Sequence, residues 1–142
     1  MNMAAKYPGL KTGRTAKLND DAKPRKPNKY HAKPTHVDGI RFDSRDEAAR
    51  YGELKLLEQA GKISDLRVHP RYQLLDKNVS DSGRTLCKRS YVADFEYIED
   101  GLIIVEDVKG MPLNKLPPLF KFKRDMFERI WRGYELRLIW MK

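Results

Sequence analysis

Apolar residues recur at helical spacing between Ser44 and Ala60, with Ala48, Tyr51, Leu54 and Leu57 forming one stripe. Ser44 supplies an N-cap, Glu47 completes a capping box, and Gly61 ends the predicted helix. Asp46, Arg50, Glu53 and Glu58 are assigned to its other faces. Leu66 to Leu75 reads as a strand interrupted by Pro70, so it is bent or lies at an edge. The polar stretch Asp76 to Lys88, with Ser82-Gly83, reads as a loop or a wide hairpin connection.

Ser90 to Ile98 is rich in aromatic and β-branched residues, and Leu102 to Lys109 begins as an unbroken apolar run. Both read as strands, the second as a buried central one. Asp100-Gly101 between them predicts a two-residue hairpin turn. After the proline-bearing connection Gly110 to Pro118, a helix is predicted over Leu119 to Trp131. Its buried face would carry Leu119, Phe122, Met126, Phe127 and Ile130. Gly133 stops it, and Tyr134 to Trp140 reads as a last strand. The closing strand–helix–strand unit predicts a parallel crossover. The class is therefore α/β on a mixed sheet, in the order helix, three strands, helix, strand.

The hairpin has a chemical consequence. With Asp100 and Gly101 as the turn residues, Asp94 falls opposite Asp107, and Val92 opposite Lys109. Opposed residues share a sheet face, with Cβ atoms about 4.5–5.5 Å apart, and like charges so placed repel. A divalent cation would offset the repulsion, and hard oxygen ligands suit Mg2+, with Mn2+ able to substitute. Lys109, two residues past Asp107, returns to the same face, while Glu106 is sent to the opposite one. The alternative is an ordinary salt-bridged cluster. Against it, Asp107 and Lys109 follow a buried-looking run, where charge is costly unless paired or bound to metal.

Composition adds a class of partner only at one end. Residues 1–37 hold nine Lys or Arg against two Asp, which is +7 of the total +9. This arm also carries four prolines and few large apolar residues, so it is expected to be disordered and to suit a polyanion. Residues 38–142 form the expected folded domain. The single cysteine, Cys87, cannot form an intrachain disulfide, and three histidines with one cysteine are too few for a structural zinc site. No apolar run is long enough to span a membrane and no signal-peptide pattern opens the chain, so a cytoplasmic location is expected. Lys115, Lys121, Lys123 and Arg124 around the start of the second helix are candidate phosphate contacts, as are Arg84, Lys88 and Arg89. None resembles a base-reading device.

Val92-Ala93-Asp94, followed by Val105-Glu106-Asp107-Val108-Lys109-Gly110, resembles the PD-(D/E)xK nuclease superfamily. Ala93 stands where the name has Pro, and Asp107 where many members have Glu. Within the superfamily the chain is similar to the phage endonuclease I group of Holliday junction resolvases. It is also similar to phage proteins that share Phe42–Leu57 and Val105–Gly110. The resemblance implies a restriction-endonuclease-like core and magnesium-dependent cleavage of DNA, of branched DNA in particular. It implies a homodimer acting in the cytoplasm of a phage-infected or prophage-carrying host. The implied catalytic set is Glu47, Asp94, Asp107 and Lys109, with Glu47, Asp94 and Asp107 as metal ligands. Glu47 keeps its rival role in the capping box, Glu53 is a weaker candidate, Gln73 reads as a surface residue, and His69 reads as structural. A transposon-end or restriction-type nuclease would use the same residues. A non-catalytic DNA-binding module is the alternative from another class.

Overall fold

The computed structural model describes residues 33–141. Two short strands open this region, β1 (Thr35–Val37) and β2 (Ile40–Phe42), paired antiparallel. The expected disordered arm is therefore corrected at its end. Thr35–Val37 are ordered because Val37 and Ile40 pack against the core, whereas residues 1–32 lie outside the described residues. Helix α1 (Arg45–Gln59) follows, capped by Ser44, whose side chain accepts from the Glu47 N–H.

The region expected as one bent strand forms two, β3 (Ser64–Val68) and β4 (Arg71–Leu75). The stretch expected as a loop contains a small hairpin of β5 (Asn78–Val79) and β6 (Thr85–Leu86). Ser90 to Ile98 also divides, into β7 (Arg89–Val92) and β8 (Phe95–Glu99). The two divisions are one event. Val68 lies opposite Phe95, Arg71 lies opposite Val92, and the register passes between them without a slip. Across the gap, the His69 N–H donates to the Asp94 carbonyl at 2.9 Å and the Ala93 N–H to the Pro70 carbonyl at 3.1 Å. A single antiparallel ribbon is thus creased at His69-Pro70 and Ala93-Asp94. His69 takes the left-handed conformation there, with φ of 53°, and Pro70 has no N–H to give to a ladder.

The turn after β8 has φ of 49° at Asp100 and 77° at Gly101, as a primed hairpin turn requires. It leads into β9 (Leu102–Lys109), which pairs antiparallel with β8. A turn of 3-10 helix (Leu113–Lys115) precedes α2 (Pro118–Ile130), and β10 (Tyr134–Trp140) returns parallel to β9. The main sheet runs β10–β9–β8–β3, so it is mixed and β9 is internal. The α/β class and the central strand are as predicted. No described helix is long and apolar enough to cross a membrane.

Two cores flank the sheet. Phe42, Tyr51, Leu54, Phe95, Tyr97, Ile104 and Val108 form the core beneath α1. Tyr72, Leu74, Tyr91, Ala93, Val105 and Phe127 form the other, joined by Phe120, Met126 and Ile130 of α2. Each fully buried Phe or Leu contributes about 1.5–3 kcal/mol relative to exposure. The predicted face of α2 is corrected. Phe127 is buried, but Leu119 and Phe122 are exposed. Phe120 turns inward in their place because it packs edge-on against Tyr91, with ring centroids 6.2 Å apart.

Strand β9 turns one residue set to each core. Ile104, Glu106 and Val108 alternate toward α1, and Val105, Asp107 and Lys109 toward the other side. Glu106 is completely buried. Arg50 reaches in from α1 and holds it at 2.6 and 3.0 Å, and the Tyr97 hydroxyl donates to it at 2.7 Å. Arg50 therefore does not belong to an outer face of the helix, as the apolar spacing had implied.

Removing one member of a buried ion pair strands the other charge. Arg50→Ala should lower unfolding stability by about 3 kcal/mol in urea titrations. Arg50→Met combined with Glu106→Gln should recover most of the loss, since no charge remains and Tyr97 keeps an acceptor. An Arg50→Ala midpoint and slope equal to the parent's would show that the pair does not hold α1 to the sheet.

Candidate active site

The crease fixes the position of Asp94. Its chain has just left the β4–β7 ribbon, and its N–H already donates to the Glu106 carbonyl of β9 at 3.1 Å. That bond is displaced by one residue from the β8–β9 register, whose last pair is Phe95 with Glu106. Asp94 and Asp107 nonetheless line the same cleft and interact electrostatically. Val92 does not face Lys109 and pairs with Arg71 instead. The predicted register ends at the crease because β7 belongs to the second ribbon.

Asp107 is buried, and both of its oxygens are engaged. Lys109 Nζ lies 2.7 Å from Oδ1, and the Tyr91 hydroxyl donates to Oδ2. Burial, then the charge of Asp107, push the Tyr91 hydroxyl well above the usual phenol range, so it remains a donor. Asp94 Oδ2 accepts from the Val108 N–H at 2.6 Å. The Asp94 carboxyl is pushed up to about 8, first by burial, then by Asp107 and Glu47. The Lys109 ammonium also sits 3.7 Å from the centroid of the Phe120 ring, which ties α2 to the charged cluster.

These groups line a cleft of about 610 Å³. Glu47 enters it from α1, and Lys123, Leu119 and Phe120 enter from α2. Glu47 combines its two predicted roles in part. It lies in the cleft with both aspartates, yet its oxygens accept from the Asp43 N–H at 3.1 Å and the Ser44 hydroxyl at 3.2 Å. Burial raises its pKa despite those bonds. The described residues hold no group of three His, Cys, Asp or Glu arranged as a metal cage. What the cleft offers is two adjacent carboxylates, with a third at the helix start. That donor set fits Mg2+, which typically takes one or two carboxylates and completes its shell with water and phosphate.

Of the predicted phosphate contacts, Lys123 lines the cleft. Lys115 and Lys121 are exposed and Arg124 is half-buried near the start of α2, and Lys88 and Arg89 are exposed at the start of β7. Gln73 is exposed, with its side chain on Asp76. Glu53 is bound to Arg50 at 2.7 Å, on the face of α1 away from the aspartates' strand face. His69 packs against Phe42, with centroids 5.8 Å apart, and supports the crease. Tyr91, Arg71 and Ser90 also line the cleft and were not singled out in the sequence. Their signal was faint, because only the long-range pairing of β4 with β7 brings them there.

A family model described as a protein of unknown function, DUF1064, matches residues 27–142. No curated protein and no solved structure matches the chain.

The raised carboxyl of Asp94 sets a pH dependence in metal-free protein. Folding raises its pKa from 3.8 to about 8, so between those values the folded state binds more protons than the unfolded state. Stability should therefore fall as pH rises through that window and level off above it. Asp94→Asn should remove much of the slope and be the more stable protein at pH 8. Melting temperatures in chelator across pH 4–9 test this, and a parent whose stability climbs through the window would contradict it.

Proposed function

The chain belongs to the DUF1064 family, and we propose that it is a metal-dependent DNA endonuclease that hydrolyses phosphodiester bonds at the Asp94–Asp107–Lys109 cluster. The observation that carries this reading is a pair of neighbouring carboxylates, Asp107 on β9 and Asp94 in the crease before β8, with the Lys109 ammonium on Asp107 and all three open to a cleft. A purely structural salt bridge needs one carboxylate, and a second beside it adds repulsion. The resemblance of Asp94, Asp107 and Lys109 to the PD-(D/E)xK pattern in residue type and spacing supports the same reading. A restriction-endonuclease-like core is part of the same proposal.

Asp94 and Asp107 would hold Mg2+ or Mn2+, which when bound polarises a phosphoryl oxygen and lowers the pKa of water. The protein's own groups do the rest. The Val108 N–H and the Tyr91 hydroxyl each fix one carboxylate, limiting the motion of the pair. Lys109 can neutralise charge as it develops on the phosphoryl group. Glu47 adds negative potential from the start of α1 and raises the proton affinity of Asp94. Attack by water forms one P–O bond as another breaks, and the water's proton passes to solvent or a neighbouring carboxylate while the leaving oxygen takes one up.

Branched DNA is the favoured substrate, through the similarity to junction-resolving nucleases. A two-fold dimer would present two clefts for paired cuts. The basic segment before residue 38 would add backbone attraction without sequence readout.

Full-length protein incubated with linear, flapped and four-way DNA should cut in Mg2+ or Mn2+ and not in chelator. Asp107→Asn should lose at least about a hundredfold in rate, the scale of one key electrostatic contact, while retaining most of its DNA affinity. Inactivity on every DNA form with either metal would favour a DNA-binding module. A fully active Asp107→Asn would place the chemistry elsewhere.

A further inference from the structure

The cleft contains two cations and two apolar side chains that hydrolysis itself does not use. Arg71 and Lys123 line it from opposite elements, the β4–β7 ribbon and α2. Neither has a carboxylate partner among the described residues, although both face the acid-bearing cleft. Arg71 donates only to the neutral Ser90 hydroxyl at 3.1 Å. Val92 and Leu119 line the same cleft and are 43 % and 66 % exposed. Phe122, 59 % exposed, stands one helical turn beyond Leu119 on the same face of α2.

Uncompensated cations call for an anionic ligand, and exposed apolar groups beside them call for one with apolar faces. A paired duplex presents mainly phosphate and sugar, with its base faces stacked inside. An unpaired strand presents phosphates and free base faces together, the combination that basic grooves with apolar platforms bind. No side chain caps the start of α2, whose partial positive charge favours the same phosphates.

We propose that this cleft binds an unpaired stretch of a nucleic-acid strand. Arg71 and Lys123 take the phosphates flanking the one that meets Asp94 and Asp107, and Leu119 and Phe122 receive a base face. Only the position of the cut phosphate rests on the nuclease reading, because the grip itself needs neither metal nor cleavage.

The test uses full-length protein in chelator, a fluorescein-labelled 20-nucleotide single strand, and the same strand in a blunt duplex. The parent should bind the single strand more tightly. Arg71→Gln and Lys123→Gln should each reduce the log–log salt slope for the single strand by about 0.7, one phosphate apiece. Leu119→Ser with Phe122→Ser should weaken single-strand binding about tenfold, keep the slope, and leave duplex affinity alone. All four side chains are at least partly exposed, and unchanged circular-dichroism melts would confirm intact folding. Equal parent affinity for both probes, or salt slopes unmoved by both charge substitutions, would overturn the proposal. So would a Leu119→Ser/Phe122→Ser protein that changes only in self-association by sedimentation, since the apolar face would then belong to a second copy. Cleavage could still fail with every binding result as expected, which would refute the nuclease reading alone.

Discussion

Two carboxylates forced side by side in a partly dry environment constrain everything around them. Asp94 and Asp107 cannot both ionise there without compensation, and their neighbours provide it in fixed positions. Lys109 and Tyr91 hold Asp107, and a backbone N–H of β9 holds Asp94. Each neighbour is in turn anchored by packing. Tyr91 sits between Tyr72, Phe120 and Phe127, and Lys109 lies against the Phe120 ring. The second core and α2 therefore position charge as well as bury apolar surface.

Strand β9 shows how the same residue type acquires two roles. Glu106 and Asp107 are adjacent, and both are buried. Glu106 faces α1, where Arg50 and Tyr97 satisfy it fully, so it has little capacity left for a ligand. Asp107 faces the cleft beside a second acid, with Lys109 on one oxygen and the Tyr91 hydroxyl on the other. Strand alternation alone separates the structural acid from the candidate catalytic one.

The nearness of Asp94 to Asp107 was legible because it depends on a local device, the Asp100-Gly101 turn, whose register runs as far as Phe95 and Glu106, one residue short of the two acids. The first helix was legible through its cap and apolar stripe. The inward reach of Arg50 was not, since its partner lies 56 residues away. The crease was only half visible. Pro70 marked one side of it, but nothing local to Ala93 shows that the opposite strand bends at the same level. Arg71, Ser90 and Tyr91 escaped notice for that reason, being gathered by a pairing across the crease. The face of α2 was misread because Leu119 and Phe122 continue its apolar pattern while packing against nothing in the core. Their exposure is a tertiary outcome, decided by Phe120 meeting Tyr91.

The central claim is that Asp94 and Asp107 together form a divalent-cation site. Binding of Mn2+ to metal-free full-length protein, followed by electron paramagnetic resonance at neutral pH without DNA, tests it most directly. The account predicts saturable binding by the parent that is lost or weakened at least about tenfold in both Asp94→Asn and Asp107→Asn, in line with the effects of altering metal-site residues. Arg50→Met combined with Glu106→Gln should retain it, because Glu106 belongs to the other face. Mn2+ binding unaffected by either aspartate substitution, or no binding at millimolar metal, would contradict the account.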